Sequence, residues 1–373
     1  MPNKCTMTTW GAYAPYLFIN LLFVLKYIQR VTLYYLGVGA LYVVLGVLLL
    51  YGIGRCIERF KYPTYAALLL FAVLLAGGLY LQYSINHYSL QVDRWSAIHF
   101  FWDECLQGTY PYAAGTHLEG YGSPFPVWQL FHLPFYALGN VGLSVFFVSA
   151  LFLGVVYRLY GAKSMLFVTI LLLFSPAYWY EIAVRSDMIT NVLLTSTIVL
   201  YLHKKQISLS GHVCSIACLV GLLASTRFIA LIPLAVLYGK AFLQLSTKNK
   251  CVFIFTVMAV FVLTFLPFVL WEGSTLLFFQ YSPFVLQTRQ GSLWVLLLFA
   301  LIAIPLVLVS KRKGESIFLL IGALLNMLVV FAFLEKMYFS HAWSQLFTPM
   351  FDLTYLSAAL PFYMLHAAIL RVK

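Results

Sequence analysis

Residues 33–50 and Leu293–Val309 run without a single charged side chain. A helix of roughly 20 apolar residues spans the ~30 Å hydrocarbon core of a bilayer, so stretches of this kind read as membrane crossings. The rest of the 373-residue chain agrees: 63% is hydrophobic and 9% charged, against about 25% charged in a soluble domain. Mean hydropathy is +0.92. A soluble fold has no way to hide so much apolar surface. The reading is an all-α polytopic membrane protein in which residues 1–373 form a single transmembrane domain. A DNA-binding domain, a disulfide miniprotein and a soluble enzyme with a membrane tail are excluded.

Hydropathy places spans near 33–54, 64–85, 140–158, 164–180, 188–203, 211–226, 228–243, 251–271, 292–310, 316–334 and 349–370, about 11–12 in all. The segment before residue 30 is left open between an interfacial helix and one more span. The net charge of +12 is read as topology rather than nucleic-acid binding, since Lys and Arg stay on the cytoplasmic side. Connections at 55–61, 158–163, 204–205, 240–250 and 311–313, with Arg371 and Lys373, hold 15 of the 23 basic residues. The alternate connections hold nine of the eleven acids, among them Asp93, Asp103, Glu104, Glu119, Glu181 and Asp187. Strict alternation puts the basic loops inside and the acidic loops outside. Only Cys105 of the six cysteines falls outside on this topology, which argues against an external disulfide framework. The first 30 residues lack the basic–apolar–small order of a signal peptide. The missing Asn-x-Ser/Thr sequon favours a bacterial plasma (inner) membrane.

One connection is long. Residues 86–139 form an outer loop rich in aromatic residues, Gly and Pro, in which 126–138 has the length and amphipathic character of a helix lying in the interface. Ionisable groups close to lipid are costly, so each asks for a reason. Asp93 sits past an early span and before an aromatic helical stretch, Arg94–Gln107. A partly desolvated carboxylate there suits a general base; the competing readings are a helix cap or an ion pair with Arg94 or Arg185. Asp103 and Glu104 follow on the same stretch, as substrate contacts or as a solvated face. Gly108-x-x-Pro111-Tyr112 ends it, and a second turn follows at 120–126.

An Asp just outside an early span, an aromatic helix, Gly-x-x-Pro-Tyr, a Tyr/Pro-rich turn and an interfacial helix ending in Leu-Gly follow in that order. This layout resembles the GT-C superfamily of integral-membrane glycosyltransferases, in particular its mannosyl- and arabinosyltransferase-like branch. Arg185, Ser186, Asp187 and Met188 in one connection, and Ser225, Thr226 and Arg227 in another, look like secondary features of the same superfamily. The chain departs from it in lacking any Asp-x-Asp pair and in carrying Ser123-Pro124-Phe125-Pro126 where relatives have Tyr-x-Pro-Pro.

The resemblance implies a transferase; its single base reads as inverting chemistry and the missing Asp-x-Asp pair as metal independence, with no cofactor. It would move a sugar, with a mannose-type hexose the leading choice, from a polyprenyl-phosphate-linked donor. The recipient would be a hydroxyl of a glycan or glycolipid acceptor at the extracytoplasmic face. Asp93 matches the catalytic position of the first outer loop. Cations for the departing phosphate are sought among the outer basic residues: Arg227, Arg185, Arg289 and Lys336, arginine being suited by its fork of donors. Arg227, flanked by apolar spans, needs a phosphate or carboxylate partner. Arg185 has an ion pair with Asp187 or Glu181 as its alternative, and Arg289 an anchoring role. Tyr112 and His341 are candidate substrate contacts, with Asp103 and Glu104. No histidine spacing fits a metal, and no nucleic acid is expected. The rivals are a lipid or sugar transporter or flippase, which would show repeats and broken midplane helices, and a non-catalytic envelope scaffold.

Overall fold

A computed structural model describes residues 4–289, 291–310 and 316–371. The basic connection of Lys311, Arg312 and Lys313, and the terminal Lys373, lie outside the described residues. The helices in chain order are α1 (Lys4–Ile28), α2 (Tyr35–Arg59), α3 (Pro63–Ser84), α4 (Arg94–Gln107), α5 (Pro126–Ala137), α6 (Ser144–Tyr160), α7 (Ala162–Leu173), α8 (Pro176–Ala183) and α9 (Met188–Lys204). They continue as α10 (Val213–Ala224), α11 (Leu231–Leu243), α12 (Thr247–Phe278), α13 (Pro283–Thr288), α14 (Leu293–Val309), α15 (Ser316–Phe339), α16 (Thr354–Ser357) and α17 (Leu360–Arg371). Among the described residues there is no strand, only one bridge between Gly115 and Tyr121.

The chain is an all-helical, multi-pass membrane protein. Six helices are long and apolar enough to cross, or seven if α7 and α8 cross together, and four shorter apolar segments accompany them. This is the first difference from the expected 11–12 spans: α10, for instance, has 12 residues, about 18 Å of helix, well short of the bilayer core. The segment before residue 30, left open by its sequence, is a helix whose part Gly11–Ile28 is apolar enough to cross.

The chain divides into two compact units. One comprises Met1–Tyr83, Ser149–Ala183 and Lys311–Lys373. In it α1 packs against α2, α8 and α17. Gly39 and Gly46 of α2 let the backbones approach, since a Cβ would lie 2.8 Å from a Leu25 methyl or 2.5 Å from a Leu17 methyl. The expected span 164–180 is broken: α7 and α8 meet at a 68° bend. Pro176 forces the break, and α1 satisfies the freed backbone. Asn20 Oδ1 accepts from Ala177 N (3.1 Å) and Ser175 Oγ (2.7 Å), while Tyr16 donates to Leu171 O (2.6 Å). Irregular backbone at membrane depth survives only where such partners exist. Lys26, awkward as a topological charge, is 3% exposed and donates to the carbonyls of Thr348 (3.2 Å) and Phe351 (2.6 Å).

The other unit comprises Ser84–Val148 and Val184–Ser310. Helix α9 is buried over nearly its whole surface. Helix α10 packs along α12 with Gly221 at the contact, where a Cβ would meet Val260 Cβ at 2.8 Å and Val257 O at 2.9 Å. Helix α12 has 32 residues, about 48 Å and longer than a bilayer core. It breaks at Glu272 (φ −154°, ψ 72°). Outward it presents Phe255, Met258, Val262, Leu263 and Leu270, an apolar surface that suits lipid.

Candidate active site

Helix α4 begins and ends where the sequence places it. Gly108 closes it in the left-handed region (φ 79°), where a Cβ would be strained. Asp93 precedes its first residue. Its backbone carbonyl accepts from Ala97 N (2.9 Å) and Ser96 Oγ (2.9 Å), but its carboxylate makes no cap. That carboxylate is half-buried. Its Oδ2 accepts from Thr116 Oγ1 (3.0 Å), and no described residue bonds Oδ1. The same Oδ2 lies 2.6 Å from where a Cβ on Gly120 would be, so a side chain there would have to displace the carboxylate. The ion pair with Arg94 or Arg185 that competed for Asp93 is not formed.

The turn after Gly120 leads to a second polar cluster. Phe125 N and Val127 N donate to Thr226 O (3.3 Å) and Ser225 O (3.1 Å), which docks the start of α5 on the turn between α10 and α11. Arg227 occupies that turn, 5% exposed. Its Nε and Nη2 donate to Asp187 Oδ2 (3.1 and 2.6 Å) and its Nη1 to Ser123 Oγ (3.3 Å). Trp128 Nε1 donates to the same Oδ2 (2.6 Å). Burial pushes the Asp187 carboxyl up, but the Arg227, Arg94 and His132 charges and the Arg227 hydrogen bond outweigh it, so the group is held below the usual carboxylate range. Arg94 Nη1 donates to neighbouring Ser186 Oγ (3.0 Å). Gly120 and Ser123 are three residues apart, so their Cα atoms are at most about 11 Å from one another. Asp93 and the Arg227–Asp187 pair are thus anchored to one short segment.

Arg227 was expected on a donor phosphate; two of its donor nitrogens serve an internal carboxylate instead. A buried arginine must be neutralised, and Asp187 does so within the protein. Arg185 therefore does not have Asp187 as its partner; it is half-buried at φ 52°, and its charge depresses His87, after burial, which acts first. Arg289 is exposed at the end of α13. Lys336 and His341 belong to the other unit: Lys336 Nζ donates to Met350 O (2.7 Å) and His341 is exposed in a turn at φ 49°.

Asp103 and Glu104 are not a bare solvated face. Tyr136 OH donates to Asp103 Oδ1 (2.6 Å) with His99 Nε2 3.6 Å from Oδ2, and Thr109 Oγ1 donates to the Glu104 carboxylate. Tyr112 is 3% exposed among Phe101, Phe268 and Tyr110, and its hydroxyl has no partner. Thr116, Gly120 and Asp187 in its role toward Arg227 were missed. The only available signal was the Gly120-Tyr-Gly-Ser123 turn, whose glycines mark close approach. No group of three or more potential metal ligands occurs among the described residues. No family model, curated protein or solved structure matches the chain.

Proposed function

We propose that this chain is a GT-C-like membrane glycosyltransferase working at the extracytoplasmic face of the plasma membrane. It transfers a mannose-type sugar from a polyprenyl phosphate to a hydroxyl of a glycan or glycolipid. The carrying observation is Asp93: a half-buried carboxylate at the head of α4, with Oδ2 fixed by Thr116 and Oδ1 unengaged. A base must present a lone pair at hydrogen-bond distance from the proton it removes. In the reaction the acceptor oxygen bonds the sugar's anomeric carbon as its proton passes to Asp93. The anomeric carbon–oxygen bond breaks, and its electron pair leaves with the lipid phosphate. Opposite-face attack needs one base only, so a lone carboxylate suffices.

Arg185 and Arg289 are the cations this reading gives to the leaving phosphate, while Arg227 holds the turn on which Ser123 sits. Membranes carrying the protein, supplied with radiolabelled polyprenyl-phosphate mannose, test the reading. Asp93→Asn should lose label transfer while inserting and extracting like the wild type; undiminished transfer would remove Asp93 from the chemistry.

A further inference from the structure

We infer that Thr116 is a positioning residue for Asp93, and that Thr116 and Gly120 together decide which carboxylate oxygen meets the acceptor hydroxyl. The inference rests on the reading of Asp93 as the base. A threonine hydroxyl has one proton to give and two lone pairs. Gly120 N donates into Thr116 Oγ1 (2.9 Å), so the oxygen is an acceptor there. Its own proton is left for Asp93 Oδ2 at 3.0 Å, and an ionised carboxylate can only accept. The direction of both bonds is fixed.

The turn that carries Thr116 is itself pinned. Thr116 N donates to Gly120 O (2.8 Å) and Glu119 N to Thr116 O (3.0 Å). Glu119 adopts φ 59°, a region that costs a non-glycine residue energy and persists only where surroundings enforce it. His117 ties the turn to both sides of Asp93: Nε2 donates to Leu90 O (2.9 Å), and Nδ1 bonds Ser96 Oγ (2.7 Å) in the first turn of α4. Carboxylate rotation is then opposed by the Thr116 hydrogen bond, and Gly120 passes so close that an added Cβ would lie 2.6 Å from Oδ2. Oδ1 remains as the oxygen that faces a substrate. Geometry of this kind matters because a shift of about 1 Å at a reacting group costs on the order of a hundredfold in rate.

The test compares Thr116→Val, Thr116→Ser and Gly120→Ala with the wild type in membranes supplied with polyprenyl-phosphate mannose. Thr116→Ser keeps the hydroxyl and should stay within about twofold of wild-type kcat. Thr116→Val removes the proton from Oδ2. Gly120→Ala brings a methyl to 2.6 Å from Asp93 Oδ2 and 3.1 Å from Thr116 Oγ1. Both should lose roughly 10- to 100-fold in kcat, with the donor KM within about twofold. Should Thr116→Val fail to fold, Gly120→Ala carries the comparison. Wild-type kcat in the folded Val or Ala variant, or a Ser variant as impaired as Val, overturns the positioning role. Full transfer by Asp93→Asn overturns the general-base reading instead, so the two failures are told apart.

Discussion

The buried pair of Asp187 and Arg227 supports a quantitative prediction. Asp187 is 2% exposed and Arg227 5%, and Asp187 Oδ2 receives three N–H donors, from Arg227 Nε, Arg227 Nη2 and Trp128 Nε1. Asp187→Leu leaves a guanidinium buried without its counter-charge, a loss of about 3–5 kcal/mol. The unpaired Trp128 N–H adds about 1–3 kcal/mol. In the double variant Asp187→Leu/Arg227→Met the charge term vanishes, since an apolar pair of similar volume is often neutral or better, and only the Trp128 term remains. At roughly 2–4 °C per kcal/mol, the single variant's thermal midpoint falls by roughly 8–32 °C and the double variant recovers at least half of that. Intrinsic fluorescence and retention on size exclusion after heating, both in detergent, read the midpoints. A double variant as unstable as the single one would refute the reasoning, because the loss would then not come from an orphaned charge.

Further outcomes follow from the same contacts. Burial drives the His132 imidazole down to about 4, against the pull of Asp187 and of its bond to Trp128 O. The folded value lies below the unfolded one of about 6.5, so this stabilisation is complete above pH 6.5 and is lost toward pH 4, at about 1.4 kcal/mol per pH unit. Asp187, also depressed, keeps its contribution until the pH falls below the ordinary carboxylate range. His132→Gln should therefore flatten the midpoint's pH dependence between 6.5 and 4, and an unchanged slope would move the effect elsewhere. Gly221→Leu should destabilise by about 1–3 kcal/mol through overpacking between α10 and α12, whereas Gly37→Ala, with nothing within 4 Å of its new Cβ, should leave the midpoint unchanged. Lys26→Met should lower the midpoint by an amount equivalent to about 1.5–3 kcal/mol, because the carbonyls of Thr348 and Phe351 lose a charged donor.

What the sequence determined by itself was local or a matter of solvent. The charge-free runs demanded a membrane, since no watery surface accommodates them. Arg94–Gln107 and the interfacial segment near 126–138 were legible because the end of the first is carried by Gly108 and the start of the second by Pro126, residues whose backbone preferences act without help from elsewhere. Asp93 was legible only as a lone acid between a span and a helix, the residue that precedes α4. Tertiary structure alone decided the rest. A buried arginine must find an anion, but nothing near Arg227 in the chain says that it is Asp187, 40 residues before it. Asn20 of α1 carries the break at Ser175 and Pro176, 155 residues later. The cradle of Asp93 comes from Thr116 and Gly120, which reach it only because His117 and Ser96 fold that turn back. Periodicity and turn propensity specify elements, whereas the satisfaction of buried polar groups is settled by whichever partner the packed chain brings within 3 Å.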